Sequence, residues 1–148
     1  MVRFYTSLLL LLILASCAPD TDPALAPSGI VGAWRWTGTY GGITGNLAVT
    51  PASTGANIFL ELRDDSRYEI FRNDTSAQTG TYALSLKRSI YDHEDHTFIT
   101  FSPADDEGES GVGPIYGAGN GIIGVNASGE LTIDDNNYDG VGSVFVRR

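Results

Sequence analysis

Only one cysteine, Cys17, stands in 148 residues. Without a second thiol there is no internal disulfide framework, so the fold rests on its core alone. Basic side chains are scarce too, and none lies between Arg88 and Arg147. That interval holds eleven carboxylates, from Asp92 to Asp139, and the whole chain carries a formal charge of −9. Nucleic-acid binding needs Lys and Arg against phosphates, so this surface repels it. Histidine is limited to His93 and His96. No Gly-x-Ser-x-Gly elbow is present, and nothing assembles a nucleophile, a base and an orienting group. An enzyme is therefore not expected, and no cofactor is implied. Long apolar runs are missing as well. The longest, Leu8 to Ala15, falls well short of the ~20 residues that span a bilayer as a helix.

What is present begins with that short run. Arg3 precedes it, and Ser16, Pro19 and Asp20 follow. A charged start, an apolar core and small residues at the end read as a secretory signal. The tetrapeptide Leu14-Ala15-Ser16-Cys17 resembles the lipobox of bacterial lipoproteins. That resemblance implies an acylated Cys17 as the first residue of the mature chain, with residues 1–16 removed. Acyl chains such as palmitate contribute ~0.8 kcal/mol per buried methylene, and two or more give stable anchoring. The expected partner of Cys17 is thus the membrane. Ala18, where an aspartate would favour inner-membrane retention in some bacteria, points to the outer membrane. Residues 18–28 hold three prolines and no apolar period, so they read as a tether.

From Gly29 onward the pattern is that of strands. Ile58, Leu60 and Leu62 alternate with Phe59, Glu61 and Arg63, and Tyr68 and Ile70 alternate with Glu69 and Phe71. Asp64-Asp65-Ser66 between them predicts a hairpin. Residues 80–86, 96–101, 121–125, 130–133 and 141–147 read as further strands. Asn126-Ala127-Ser128-Gly129 supplies a second hairpin turn. With residues 30–38 and 45–50 this makes about eight short strands. The mature domain shows no apolar recurrence at helical spacing. The expected class is all-β and antiparallel, a barrel or a sandwich. Successive hairpins close most naturally as an up-and-down barrel, because closure removes exposed edges.

Gly32-Ala33-Trp34 opens the first strand, and Arg147 ends the last. This pairing resembles the lipocalins, which implies a tryptophan on the barrel floor with an arginine packed across its ring. The order of "GAWRWTGTYGGITG", "TPASTG", Thr79-Gly80-Thr81-Tyr82 and the stretch from Asp139 to Arg147 is similar to small lipocalin-like lipoproteins of Bacteroidetes. The resemblance covers residues 29–148 as one domain.

Three stretches invite a chemical reading. "GNGIIG", residues 119–124, matches Gly-x-Gly-x-x-Gly, but turn chemistry precedes it and a strand follows, so a dinucleotide site is rejected. Asp135, Asn137 and Asp139, followed by Gly140, have the spacing of the first half of a calcium loop. The twelfth position is Val146 rather than a bidentate Glu. Weak, millimolar-range divalent-cation binding is one reading, and a plain hairpin turn is the other. "YDHEDH", residues 91–96, offers Asp92, His93, Glu94, Asp95 and His96. Strand alternation would place Asp92, Glu94 and His96 on one face; the other reading is a solvated loop tip.

Two functions follow as expectations. In the first, a lipid-anchored envelope protein binds a small apolar or amphipathic ligand in the barrel, with Trp36, Tyr68 and Tyr82 lining the site. In the second, a non-catalytic module meets envelope partners through its acidic loops. An open apolar cavity favours the first, and a filled interior favours the second.

Overall fold

The computed structural model describes residues 29–104 and 120–148. Cys17, residues 1–16 and the tether to residue 28 lie outside the described residues, as do the carboxylates from Asp105 to Glu109. Among the described residues nine strands run in chain order: β1 (Gly32–Gly41), β2 (Leu47–Val49), β3 (Ile58–Leu62), β4 (Arg67–Arg72), β5 (Thr75–Arg88), β6 (Asp95–Pro103), β7 (Gly121–Val125), β8 (Leu131–Asp134) and β9 (Val141–Arg147). Every pairing is antiparallel. The order is β2-β1-β3-β4-β5-β6-β7-β8-β9, and β9 returns to pair with β1. The result is a closed eight-stranded barrel with β2 as an extra strand.

β1 is long enough to serve three neighbours. Its first half pairs with β3, from Gly32↔Leu62 to Arg35↔Phe59. Its second half turns to β2, from Thr39↔Val49 to Gly41↔Leu47. A register shift between Trp36 and Gly38 against β9 marks the bend. Between β2 and β3 sits a single helical turn, α1 (Pro51–Thr54), which the sequence pattern did not announce. Thr50 and Ser53 cap it reciprocally, Pro51 starts it and Gly55 ends it at φ 65°.

The hairpins follow turn chemistry. Asp64–Ser66 and Asn126–Gly129 turn where the sequence predicts. Asn73 and Asp74 form a further two-residue turn, with φ 52° and 63°. Both values suit the mirror-image turn that matches strand twist. β5 thus begins at Thr75, five residues earlier than the alternation suggested. "GIIGV" is strand β7, with a turn and β8 behind it and no helix.

Inward side chains fill the barrel. Trp34, Trp36, Leu60, Ile70, Ile99, Leu131 and Phe145 are all 0 % exposed. Such values mean that no water-sized space touches these side chains. Tyr68 and Phe101 meet edge to face at 4.9 Å between ring centroids. Two polar side chains are also wholly buried, Thr39 and Ser143. Trp36 Nε1 donates to Thr39 Oγ1 at 3.1 Å, and that hydroxyl lies 2.6 Å from Ser143 Oγ. The indole N–H and both hydroxyls of this trio are thereby paired, as burial demands.

One end of the barrel is closed by the Trp34–Arg147 contact. Arg147 spreads over the indole and donates to Val31 O and Gly29 O. Trp34 Nε1 donates to Ile30 O at 2.7 Å. Gly29, where the described chain starts, is therefore fixed to this end. Gly41, paired with Val141, marks the other.

Candidate functional site

The residues flagged along the sequence separate into two places. Trp36, Tyr68 and Tyr82 are in the core cluster. Trp36 is spent on its bond to Thr39. Tyr82 is 6 % exposed, and its hydroxyl donates to Arg63 O at 2.6 Å. Tyr68 is 2 % exposed, and its hydroxyl has no partner. The three are inward, as alternation predicts; Trp36 is enclosed, while Tyr68 and Tyr82 also border open hollows of about 310 and 430 Å³.

The acidic stretches come together elsewhere. Residues 89–94 join β5 to β6, and residues 135–140 join β8 to β9. The two loops dock on each other near Gly41. Ile90 N donates to Asn136 Oδ1 at 2.9 Å, and Asn136 Nδ2 donates to Arg88 O at 3.4 Å. The Tyr91 hydroxyl donates to the backbone oxygens of Asp135 and Asn137. Beneath this junction lies an open hollow of about 300 Å³. Its walls include Tyr91, Asp92, His96, Asp134 and Asp135, with Ser89, Ile122 and Gly140–Gly142 completing it. Ile122, Asp134 and Gly142 are register partners on the outward face of β7, β8 and β9.

Residues 91–94 are an exposed loop tip between β5 and β6, as the loop-tip reading has it, and strand alternation does not apply to them. His93 takes φ 61°. The turn brings Asp92 Oδ2 to 2.7 Å from His96 Nε2, while Glu94 contributes its backbone N–H to Asp92 Oδ1 rather than its carboxylate. That N–H and then His96 hold the Asp92 carboxyl down to about 2. Across the hollow the opposite holds. Burial pushes the Asp134 carboxyl up, against a hydrogen bond from Thr132 that pulls it down. Asp134 lies over Gly142, where an added Cβ would stand 2.0 Å from its Oδ1.

The calcium-like triplet is built as a turn. Asp135 Oδ1 accepts from Val141 N at 3.1 Å, and Asn137 O accepts from Gly140 N at 3.0 Å. Asp139 sits at φ 60°. Among the described residues no three of His, Cys, Asp and Glu are grouped to hold a metal ion.

Sequence reasoning singled out both loops but not Tyr91 and Asn136 as the residues that join them, nor Asp134 as a wall of the hollow. Asp134 carried a signal: it is the outward residue of the last β8 pair, directly before the flagged turn. Tyr91 and Asn136 act across 46 positions of sequence, through loop docking that no local pattern reports. Chemically the hollow offers carboxylates, an imidazole and an aromatic wall, with no Lys or Arg in its lining. That set suits a cationic group rather than an anion. No protein-family model matches this chain, and no curated protein or solved structure matches it either.

Proposed function

We propose that this protein is a lipid-anchored, non-catalytic recognition module of the cell envelope, and that its acidic hollow takes cationic groups. The supporting observation is the contrast between a filled barrel and an open hollow at the end away from Gly29. A ligand needs space, and the centre of the barrel offers none beside Trp36 or Phe145, each 0 % exposed. β1 is ten residues long, so about 30 Å of chain separates the floor from the hollow at a rise of ~3.3 Å per residue. A tether attached at Gly29 leaves the hollow facing away from the lipid surface. A cation there meets Asp92, Asp134 and Asp135, and the Tyr91 ring adds cation–π attraction.

Two measurements test this. Growth with labelled palmitate should label the wild type and not Cys17→Ala; an unlabelled wild type overturns the anchor. Poly-lysine titrated onto the mature chain should bind in a salt-dependent way. The double variant Asp134→Asn, Asp135→Asn should weaken binding about tenfold, since charge–charge contacts dominate such an encounter. Equal binding by the double variant overturns the role of the hollow.

A second reading has one observation in its favour. Tyr68 Oη and Gln78 Oε1 are buried without hydrogen-bond partners. An amphipathic ligand with a polar group in the opening beside Tyr68 would satisfy its hydroxyl. Enhanced fluorescence of a naphthylamine probe, altered by Tyr68→Phe, would favour it over recognition at the hollow.

A further inference from the structure

We infer that the opening beside Tyr68, together with the hollow next to it, binds a neutral saccharide of two or more units. This rests on the second reading above for its place and names the class of ligand. Tyr68 is buried, and among the described residues its hydroxyl meets no hydrogen-bond partner. Such a hydroxyl costs stability, and phenylalanine would fill the same space without that cost. A ligand group in the opening of about 310 Å³ would offset it. Arg63, Arg67, Glu69, Thr79 and Thr81 line this opening with Tyr68. Gly80, the register partner of Tyr68, borders it too, and a Cβ there would stand 2.8 Å from the tyrosine ring. A second hollow, of about 430 Å³, has Asp65, Ser66, Tyr82 and Ser102 in its walls. The two share Arg67 and Thr81, which are register partners across β4 and β5, so they lie side by side. Each falls in the ~300–1,000 Å³ range of small-ligand pockets.

The lining selects the class. Arg63 is held by Glu61 at 3.2 Å and by Glu69 at 3.0 Å, and Arg67 Nε by Asp65 at 2.6 Å. An anion would compete with three carboxylates already in place, and a cation would meet two guanidinium groups. A neutral ligand meets neither cost. Carboxylates accept, guanidinium N–H groups donate, and the hydroxyls of Tyr68, Thr79, Thr81 and Ser102 can do both. Sugar hydroxyls match that mixture, because each of them also donates and accepts. Among the described residues no Leu, Ile, Val, Met or Phe lines either hollow, so an acyl chain finds little aliphatic wall. The threonine methyls suit the C–H faces of a sugar ring. Two adjoining spaces with Arg67 and Thr81 between them fit two linked sugar units better than one.

The test is binding of the mature chain to an array of neutral di- and trisaccharides, with amino-sugar and uronic-acid oligomers beside them. A neutral sugar should be retained, and the charged oligomers should bind about tenfold more weakly, because each brings a like charge against the lining. For the retained sugar, Tyr68→Phe should weaken binding about fivefold, the worth of one hydrogen bond. The same variant should melt higher, since it removes an unpaired buried hydroxyl. A merely structural tyrosine would show the second effect without the first. Thr81→Val, on the exposed side of β5, should reduce affinity for the disaccharide more than for its monosaccharide. Asp134→Asn with Asp135→Asn should leave sugar binding unchanged. Retention of no neutral sugar, with naphthylamine fluorescence still altered by Tyr68→Phe, overturns the saccharide and leaves the opening as a site. Failure of both ligands overturns the opening as well. Tighter binding of a charged oligomer overturns the neutral class, and undiminished sugar binding by Tyr68→Phe overturns the place.

Discussion

The guanidinium of Arg147 lies 4.4 Å from the centroid of the Trp34 ring, and the two residues are register partners across the seam that closes the barrel. The contact also explains the glycine two residues before the tryptophan. A Cβ at Gly32 would stand 2.6 Å from Arg147 Nη1, and its φ is 142°. Gly32 leaves the room in which the arginine reaches across the floor.

This seam sets the first expectation. Trp34→Ala should cost ~3–5 kcal/mol, the range for truncating a large core aromatic. Arg147→Ala should cost less, about 1–3 kcal/mol, for the cation–π contact and two charge-assisted hydrogen bonds. Denaturant midpoints measure both. An unchanged midpoint in Trp34→Ala would show that the floor does not hold the barrel shut.

The buried polar trio of Trp36, Thr39 and Ser143 gives the second. Thr39→Val keeps the volume but strands the indole N–H in an apolar centre and takes one partner from the Ser143 hydroxyl. The expected loss is about 1–3 kcal/mol, the cost of leaving buried polar groups unpaired. Ser143→Ala removes one partner only and should cost less. Equal losses in the two variants would mean that Thr39 is not the hub.

Asp134 yields a pH prediction. Its folded pKa is raised above 3.8 by burial. At low pH the group is protonated in both states and has no effect on stability. As pH rises past 3.8 the unfolded chain ionises first, so stability falls until pH passes the folded value. Asp134→Asn should therefore melt higher than wild type at neutral pH, with the difference vanishing under acid conditions. A gap that widens toward acid would reverse the assignment of sign. Asp92 runs the other way, because its folded value of about 2 lies below the ordinary 3.8. Its contribution is present above 3.8 and is lost as pH falls toward 2.

The Asp135–Asp139 turn should be indifferent to calcium beyond screening. Asp135 Oδ1 is engaged by the Val141 N–H, and Asn137 offers its backbone oxygen inward to Gly140 and Tyr91. Melting in ~5 mM calcium should match melting in sodium at equal ionic strength, since screening alone then acts. A calcium-specific rise that Asp139→Ala abolishes would establish a site.

Local pattern was enough for most of the scaffold. Alternation in residues 58–72 and 141–147 identified strands because one barrel face is dry and the other wet. Turn residues such as Asn126–Gly129 announced their hairpin, since their backbone preferences are local. The Trp34–Arg147 contact was legible only through resemblance, not from spacing. The fourteen-residue length of β5 was hidden, because its first half carries Thr, Ser and Gln with no apolar alternation.

The candidate site divides along the same line. Composition by itself established that the interval between Arg88 and Arg147 is acidic and free of Lys and Arg. It showed no motif that groups a nucleophile, a base and an orienting residue, and the expectation of no enzyme rested on that. It did not tell that residues 89–94 and 135–140 would share one hollow. That depended on barrel closure, which carries β9 back to β1, and on Asn136 and Tyr91 bridging loops far apart in sequence. Nor could alternation say whether inward aromatics line a space or fill it, because facing inward is a property of one strand. Filling is a property of all eight, set by how Trp36, Tyr68, Phe101 and Phe145 pack against one another.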